Sequence, residues 1–171
     1  MNKDLVLISG AIVYRATKGK KRWFLAKQFG EDSEWEIPKI VVRKAESSAR
    51  GAMRLMLEQV DMDTQVLEEA GRAGGSATIN GKVVPQRHLY YIMLFKEKEE
   101  GVEDNRREEK ERTKVLEFEE SGWFEYAQAV RKLRSKRERL MLKQGRQELR
   151  KWEKAEKIKN RNNSSYRDYF Q

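Results

Sequence analysis

The sequence predicts an α+β domain, an α/β/α sandwich in which helices cover a mixed β-sheet, followed by a C-terminal helical extension. Three observations lead there. Short β-rich runs fill most of the first 95 residues, helical periodicity interrupts them once from Ser47, and two further helical stretches follow residue 125. The strict alternation of strands and helices that builds a Rossmann sheet is absent. A chain of 171 residues suits one domain with an appended segment.

The first strand is Leu5 to Tyr14, rich in β-branched residues and too short for a buried helix. Lys18 to Lys21 supplies a turn, and Arg22 to Gln28 returns as the hairpin partner. A polar loop, Gly30 to Glu34, leads into Trp35-Glu36-Ile37-Pro38-Lys39 and a short apolar run, Ile40-Val41-Val42. From Ser47 or Ser48, either a suitable N-cap, residues Ala49, Ala52, Met53, Met56 and Val60 fall on one helical stripe, which Asp61-Met62-Asp63 ends. Thr64 to Leu67 reads as a strand, Gly71, Gly74 and Gly75 loosen the chain, and Asn80-Gly81 joins Ala77–Ile79 to Lys82–Val84 as a hairpin. His88 to Phe95 continues that return arm. Residues 96–113 are almost all charged and read as a solvated loop. A short strand at Val115–Phe118 and the Gly122-Trp123-Phe124 segment precede helices at Tyr126–Leu133 and Ser135–Lys159. The resulting division is a domain over 1–133, a basic helix over 134–160 packed on or extending from it, and a flexible tail over 161–171.

Composition excludes several chemistries. Cysteine is absent, so there are no disulfides, thiolate metal sites or thiol nucleophiles. No apolar run is long enough to span a bilayer, and the N-terminus lacks a secretory pattern, so a cytoplasmic protein is expected. The net charge of +9 is concentrated: residues 131–161 hold 14 Lys and Arg against 4 acidic residues, whereas residues 1–130 nearly balance. That segment is where a polyanion would be met.

Trp35 to Met62 resembles the Nudix family, whose signature is G-x5-E-x7-R-E-U-x-E-E-x-G-U with U apolar. Glu46, Arg54, Met56, Glu58 and Met62 match at the right spacing, while Ile40, Leu55, Gln59 and Asp61 stand where glycine, glutamate, glutamate and glycine are expected. Ser9 to Arg15, the W-x-x-P-K run at Trp35–Lys39, and Trp123 with the helix from Ala127 resemble, in order, segments of the diadenosine tetraphosphate hydrolase branch. The likeness extends over residues 5–152.

The resemblance implies a magnesium site built by glutamates at positions 55, 58 and 59, which share one helix face at i, i+3 and i+4. Magnesium takes hard oxygen ligands, and here that face reads Leu55, Glu58, Gln59. Glu58 is the one surviving candidate for metal and catalysis, or it is simply the i+4 ion-pair partner of Arg54. Gln59 is neutral and Leu55 offers nothing to a cation. Glu46 and Arg54 are expected to be structural, tying loop to helix, and Ile40 is expected to force a remodelled loop over Lys39–Ala45. Lys39, Arg43 and Lys44 are the candidate phosphate contacts, with Arg87 and Tyr90 as nucleotide contacts on the strand that follows. His88, the single histidine, reads as a hydrogen-bonding residue rather than a catalyst.

The function that follows is a pseudoenzyme-like one: binding of nucleoside polyphosphate or RNA with weak or lost hydrolysis, and magnesium weak or absent. One alternative is an active, divergent magnesium-dependent pyrophosphohydrolase acting on diadenosine tetraphosphate or a nucleoside triphosphate. Another is a ribosome- or RNA-associated adaptor using the basic helix.

Overall fold

The computed structural model describes residues 5–96 and 118–169, with side chains to residue 164. The charged stretch after Lys96 and the start of the strand expected at Val115 lie outside the described residues. The elements run β1 (Val6–Thr17), β2 (Lys20–Lys27), β3 (Trp35–Glu36), β4 (Lys39–Val41), α1 (Ser48–Val60), β5 (Thr64–Ile79), β6 (Lys82–Phe95), β7 (Glu120–Phe124), α2 (Tyr126–Lys132) and α3 (Lys136–Tyr169).

Among the described residues the strands form one seven-stranded mixed sheet of order β3-β2-β1-β6-β5, with β4 also on β1 and β7 on β2. Its centre is the parallel pairing of β1 and β6, from Val6 opposite Gln86 to Tyr14 opposite Leu94. Because side chains alternate across a strand, β1 feeds two cores. Ile12 and Tyr14 join Trp23, Leu25, Tyr90 and Ile92 beneath Leu133, Met141, Leu142 and Leu149 from the C-terminal helices. Ala11 and Val13 join Phe24, Ala26, Met93 and Phe118 beneath Ala52, Leu55 and Met56 of α1. The α/β/α sandwich is therefore present, with α1 on one face and α3 on the other.

Both hairpin turns expected from the sequence form. Lys18-Gly19 and Asn80-Gly81 each have two consecutive positive φ values, the backbone of a type I′ turn. One expectation fails in β5, which is a continuous 16-residue strand rather than two strands joined by a loosened glycine segment. The glycines serve close approach instead. A Cβ on Gly71 would lie 2.5 Å from the Gln144 side chain and 2.9 Å from Met141 Sδ, so its absence lets α3 lie directly on the sheet.

Helix α1 starts at Ser47, whose hydroxyl accepts the Arg50 N–H, and stops at Asp61 in the left-handed conformation at φ 53°. Asp61 stands where the signature has glycine and adopts a backbone shape that glycine tolerates most readily. The buried face is Gly51, Ala52, Leu55 and Met56, which corrects the expected stripe: Met53 is exposed and Leu55 replaces it in the core. Ile40 is extended in β4, opposite Ser9 of β1, so the segment before the helix is strand where the signature begins with glycine.

Helix α3 is 34 residues long, about 50 Å at 1.5 Å per residue. It packs through Met141, Leu142 and Leu149, with half-buried Trp152 against the same core. The helix continues past Lys159, where its apolar pattern has faded, to Tyr169. No helix among the described residues is long and apolar enough to cross a membrane.

Gly10 supports the centre of the sheet by giving up its side chain to Tyr90, whose ring would lie 2.5 Å from an added Cβ. Gly10→Ala is expected to lower stability by about 1–3 kcal/mol, the usual cost of overpacking. Urea unfolding measures it, and an unchanged midpoint would contradict the contact.

Candidate functional site

Arg54 binds Glu46 in a fork, Nε to Oε2 at 2.9 Å and Nη2 to Oε1 at 3.1 Å, and Nη2 also donates to the Val41 carbonyl at 3.1 Å. The Arg43 N–H donates to the same carboxylate at 3.1 Å. Hydrogen bonding from Arg54, then from the Arg43 backbone, lowers the Glu46 pKa below its ordinary value. This carboxylate closes the loop between β4 and α1, and both of its oxygens are engaged.

The three positions that the signature gives to glutamate do not converge. Leu55 is 0 % exposed within the core under α1. Glu58, about 60° round the helix from it, points to solvent, its side chain 51 % exposed and 3.6 Å from Arg54 Nη1. Gln59 is half-buried. Among the described residues no three histidine, aspartate or glutamate side chains gather as a metal site.

The loop offers cations instead. Arg43, Lys44, Ala45, Glu46, Ser47 and Arg50 line a groove of about 440 Å³, with Arg43, Lys44 and Arg50 exposed. Arg50 escaped the sequence reading, although the Ser47 cap places it at the third helical position, where a capping box usually has glutamate or glutamine. The first turn of α1 has no acidic residue. The start of α1 is pinned to the sheet by Ser9 Oγ donating to the Ser48 carbonyl at 2.6 Å and by a hydrogen bond between the Ser48 and Tyr91 hydroxyls.

The remaining candidates lie elsewhere. Lys39 Nζ contacts Glu138 Oε1 at 2.9 Å, the Ile37 carbonyl at 2.9 Å and Glu36 Oε2 at 3.5 Å, so its charge is taken up within the chain rather than offered to phosphate. Glu138 of α3 is 5 % exposed and accepts the Ile37 N–H on both oxygens. Burial raises its pKa despite the opposing effect of Lys39. Tyr90, expected to contact nucleotide, is 1 % exposed in the core between sheet and α3, where a ligand does not reach it. Arg87 is exposed on β6 opposite Leu7, and it is not among the residues that line the groove.

Two cavities beside the W-E-I-P-K run share Glu31, Asp32, Ser33, Glu34 and Trp35 in their walls. The larger, about 530 Å³, adds Gln28, Phe29, Glu36 and Glu138, an acidic lining that repels phosphate.

No family model and no curated protein matches the sequence. Solved structures do. A C. elegans Ap4A hydrolase binary complex superposes at TM-score 0.63 with 18 % identity, covering 84 % of this chain and 97 % of that one. The E. coli dihydroneopterin triphosphate pyrophosphohydrolase gives TM-score 0.61 at 14 % identity over 81 % and 92 %. The NUDIX domain of Shewanella oneidensis NrtR, complexed with ADP ribose, gives 0.62 at 12 % over 86 % and 90 %. The chain has the Nudix fold. Magnesium, typical of this fold, does not fit the donors at positions 55, 58 and 59: one is aliphatic and buried, one is a neutral amide, and the single carboxylate lies beside an arginine.

His88 is buried, with Nε2 at 3.3 Å from both Gln86 Oε1 and Arg137 Nη1. Burial first, then Arg137 and Lys39, lower its pKa from 6.5. The unfolded chain therefore binds a proton more readily, so the His88 contribution is complete above 6.5 and is lost as pH falls through the folded value. Acidification from about pH 7.5 to about 5.5 should reduce the stability of the natural protein more than that of His88→Gln. Comparing their urea midpoints isolates His88 from the raised Glu138, which both proteins share; parallel profiles would reject it as the titrating group. Separately, Glu138→Ala leaves the Ile37 N–H without its acceptor and Lys39 without its buried partner. A loss of about 1–3 kcal/mol is expected in the same assay.

Proposed function

We propose that this chain binds the phosphates of a nucleoside polyphosphate or of RNA and hydrolyses them weakly or not at all. The observation that carries this reading is the charge of the loop before α1: Arg43, Lys44 and Arg50 surround its groove, and its one carboxylate, Glu46, is bound by Arg54. Such a groove attracts the phosphate chain that a magnesium site would otherwise receive through the metal. Burial of Leu55 supports the loss of hydrolysis, because magnesium needs at least one or two well-placed carboxylates in addition to phosphate oxygens. That a NUDIX domain of the same fold was crystallised with ADP ribose supports a pyrophosphate-bearing nucleotide as ligand.

Calorimetric titration with diadenosine tetraphosphate tests the binding, and product detection with added magnesium tests the chemistry. Measurable affinity is expected, weakened more than about tenfold in Arg43→Glu, Lys44→Glu, Arg50→Glu, which corresponds to more than about 1.4 kcal/mol. Turnover in the ordinary range of about 1–10³ per second would favour the divergent magnesium-dependent pyrophosphohydrolase instead. Leu55→Glu with Gln59→Glu is expected to be destabilised by about 3 kcal/mol or more rather than activated, since the new carboxylate at 55 enters an apolar core.

A further inference from the structure

The charge on α3 is ordered by the helix. Lys143, Arg146, Arg150, Lys154, Lys157 and Arg161 follow one another at steps of three and four residues. At about 100° per residue they fall within an arc of about 80°, and at 1.5 Å per residue they extend over about 27 Å. The arc contains no acidic residue. Met141, Leu142 and Leu149 are buried against the sheet, Arg146 at the edge of that face is half-buried, and the other five cations are exposed.

These charges are largely uncommitted. Arg146 lies over the Tyr126 ring at 3.9 Å, whereas among the described residues no carboxylate pairs with the other five. The lysines off the stripe behave differently: Lys151 pairs with Glu148 and Lys159 with Glu156. Glu153, at the stripe's border, is held by Lys21 at 2.8 Å. Like charges at these spacings repel and weaken a helix. A single straight row of them has its complement in a row of phosphates.

The row also restricts what that complement is. A helix lying on a membrane needs an apolar face beside its basic one, and beyond Trp152 the described side chains offer only Ala155 and exposed Ile158. A helix seated in the major groove of B-form DNA lies between two phosphate rows and turns base-reading side chains inward. One basic stripe opposite a protein core matches one backbone, met from outside. RNA duplexes, whose deep narrow major groove excludes side chains, are bound in that backbone-directed way.

We infer that the outward face of α3 is a docking surface for the phosphate backbone of RNA. It lies on the opposite side of the sheet from the groove before α1 and does not depend on the ligand of that groove. The contact gives affinity and orientation without base readout.

Fluorescence anisotropy of the full chain with a labelled RNA duplex of about 20 base pairs, titrated across potassium chloride concentrations, tests this. Arg150→Glu, Lys154→Glu, Lys157→Glu is expected to bind about 100-fold more weakly at low salt, with the slope of log affinity against log salt reduced by about 3. Lys20→Glu, Lys82→Glu, Lys151→Glu makes the same change in net charge off the stripe and should stay within about threefold of the natural protein. Circular dichroism checks the helix; if the reversed-charge variant unfolds, Arg150→Gln, Lys154→Gln, Lys157→Gln should still lose about tenfold. Diadenosine tetraphosphate binding should be unaffected by the stripe changes, which separates the two surfaces. The inference is overturned by an equal loss in the off-stripe variant, by absent RNA binding, or by tighter binding to B-form DNA or phosphatidylserine vesicles.

Discussion

From Ser9 to Tyr14 every residue of β1 is buried, which leaves that strand no solvent face along its middle. A strand in this position needs cover on both sides, and its parallel pairing to β6 needs a long crossover in which a helix can be carried. Helix α1 covers Ala11 and Val13, while α2 and α3 cover Ile12 and Tyr14. The groove before α1 and the basic face of α3 lie on opposite sides of the molecule for this reason. One sits at the start of the helix that covers Ala11 and Val13, the other on the helix that covers Ile12 and Tyr14.

Local chemistry made much of this architecture legible. Two positive-φ dipeptides, Lys18-Gly19 and Asn80-Gly81, located the hairpins, and a serine before a periodic run located α1. What the sequence obscured was decided by distant packing. Gly71 resembles a break until Met141 and Gln144 arrive against it from α3, 70 residues away and more. Leu55 fits a metal-facing helix stripe on spacing alone, but rotation of α1 is set by the whole apolar surface beneath it, and the aliphatic side chain turns to the core. Lys39 and Tyr90 were credible ligand contacts by position along the chain. Glu138 claims the first, and the α3 core encloses the second. The candidate site was therefore legible in Arg43, Lys44 and Glu46, which are close in sequence, and illegible wherever a helix from beyond residue 130 intervenes.

The Nudix loop illustrates how shape and chemistry can part. Its closure relies on the Glu46–Arg54 fork, the Ser47 cap and the left-handed residue at Asp61, and all three are present. None of them requires a metal. The positions that would carry the metal-binding glutamates make none of these three contacts, so the loop keeps its shape with Leu55 and Gln59 there. Around the same frame, Arg43, Lys44 and Arg50 give the surface the opposite sign.

Past Trp152, α3 has little sheet to lean on, and a free helix of that length is marginal in water. Its backbone hydrogen bonds must hold against mutual repulsion along one flank, so its order is set by the ionic atmosphere as well as by its sequence. Dissolved counterions would quiet that repulsion diffusely, whereas an extended anion would do so in one place. The end of the chain is thus a spring loaded by its own charge, stiffest when something negative lies along it.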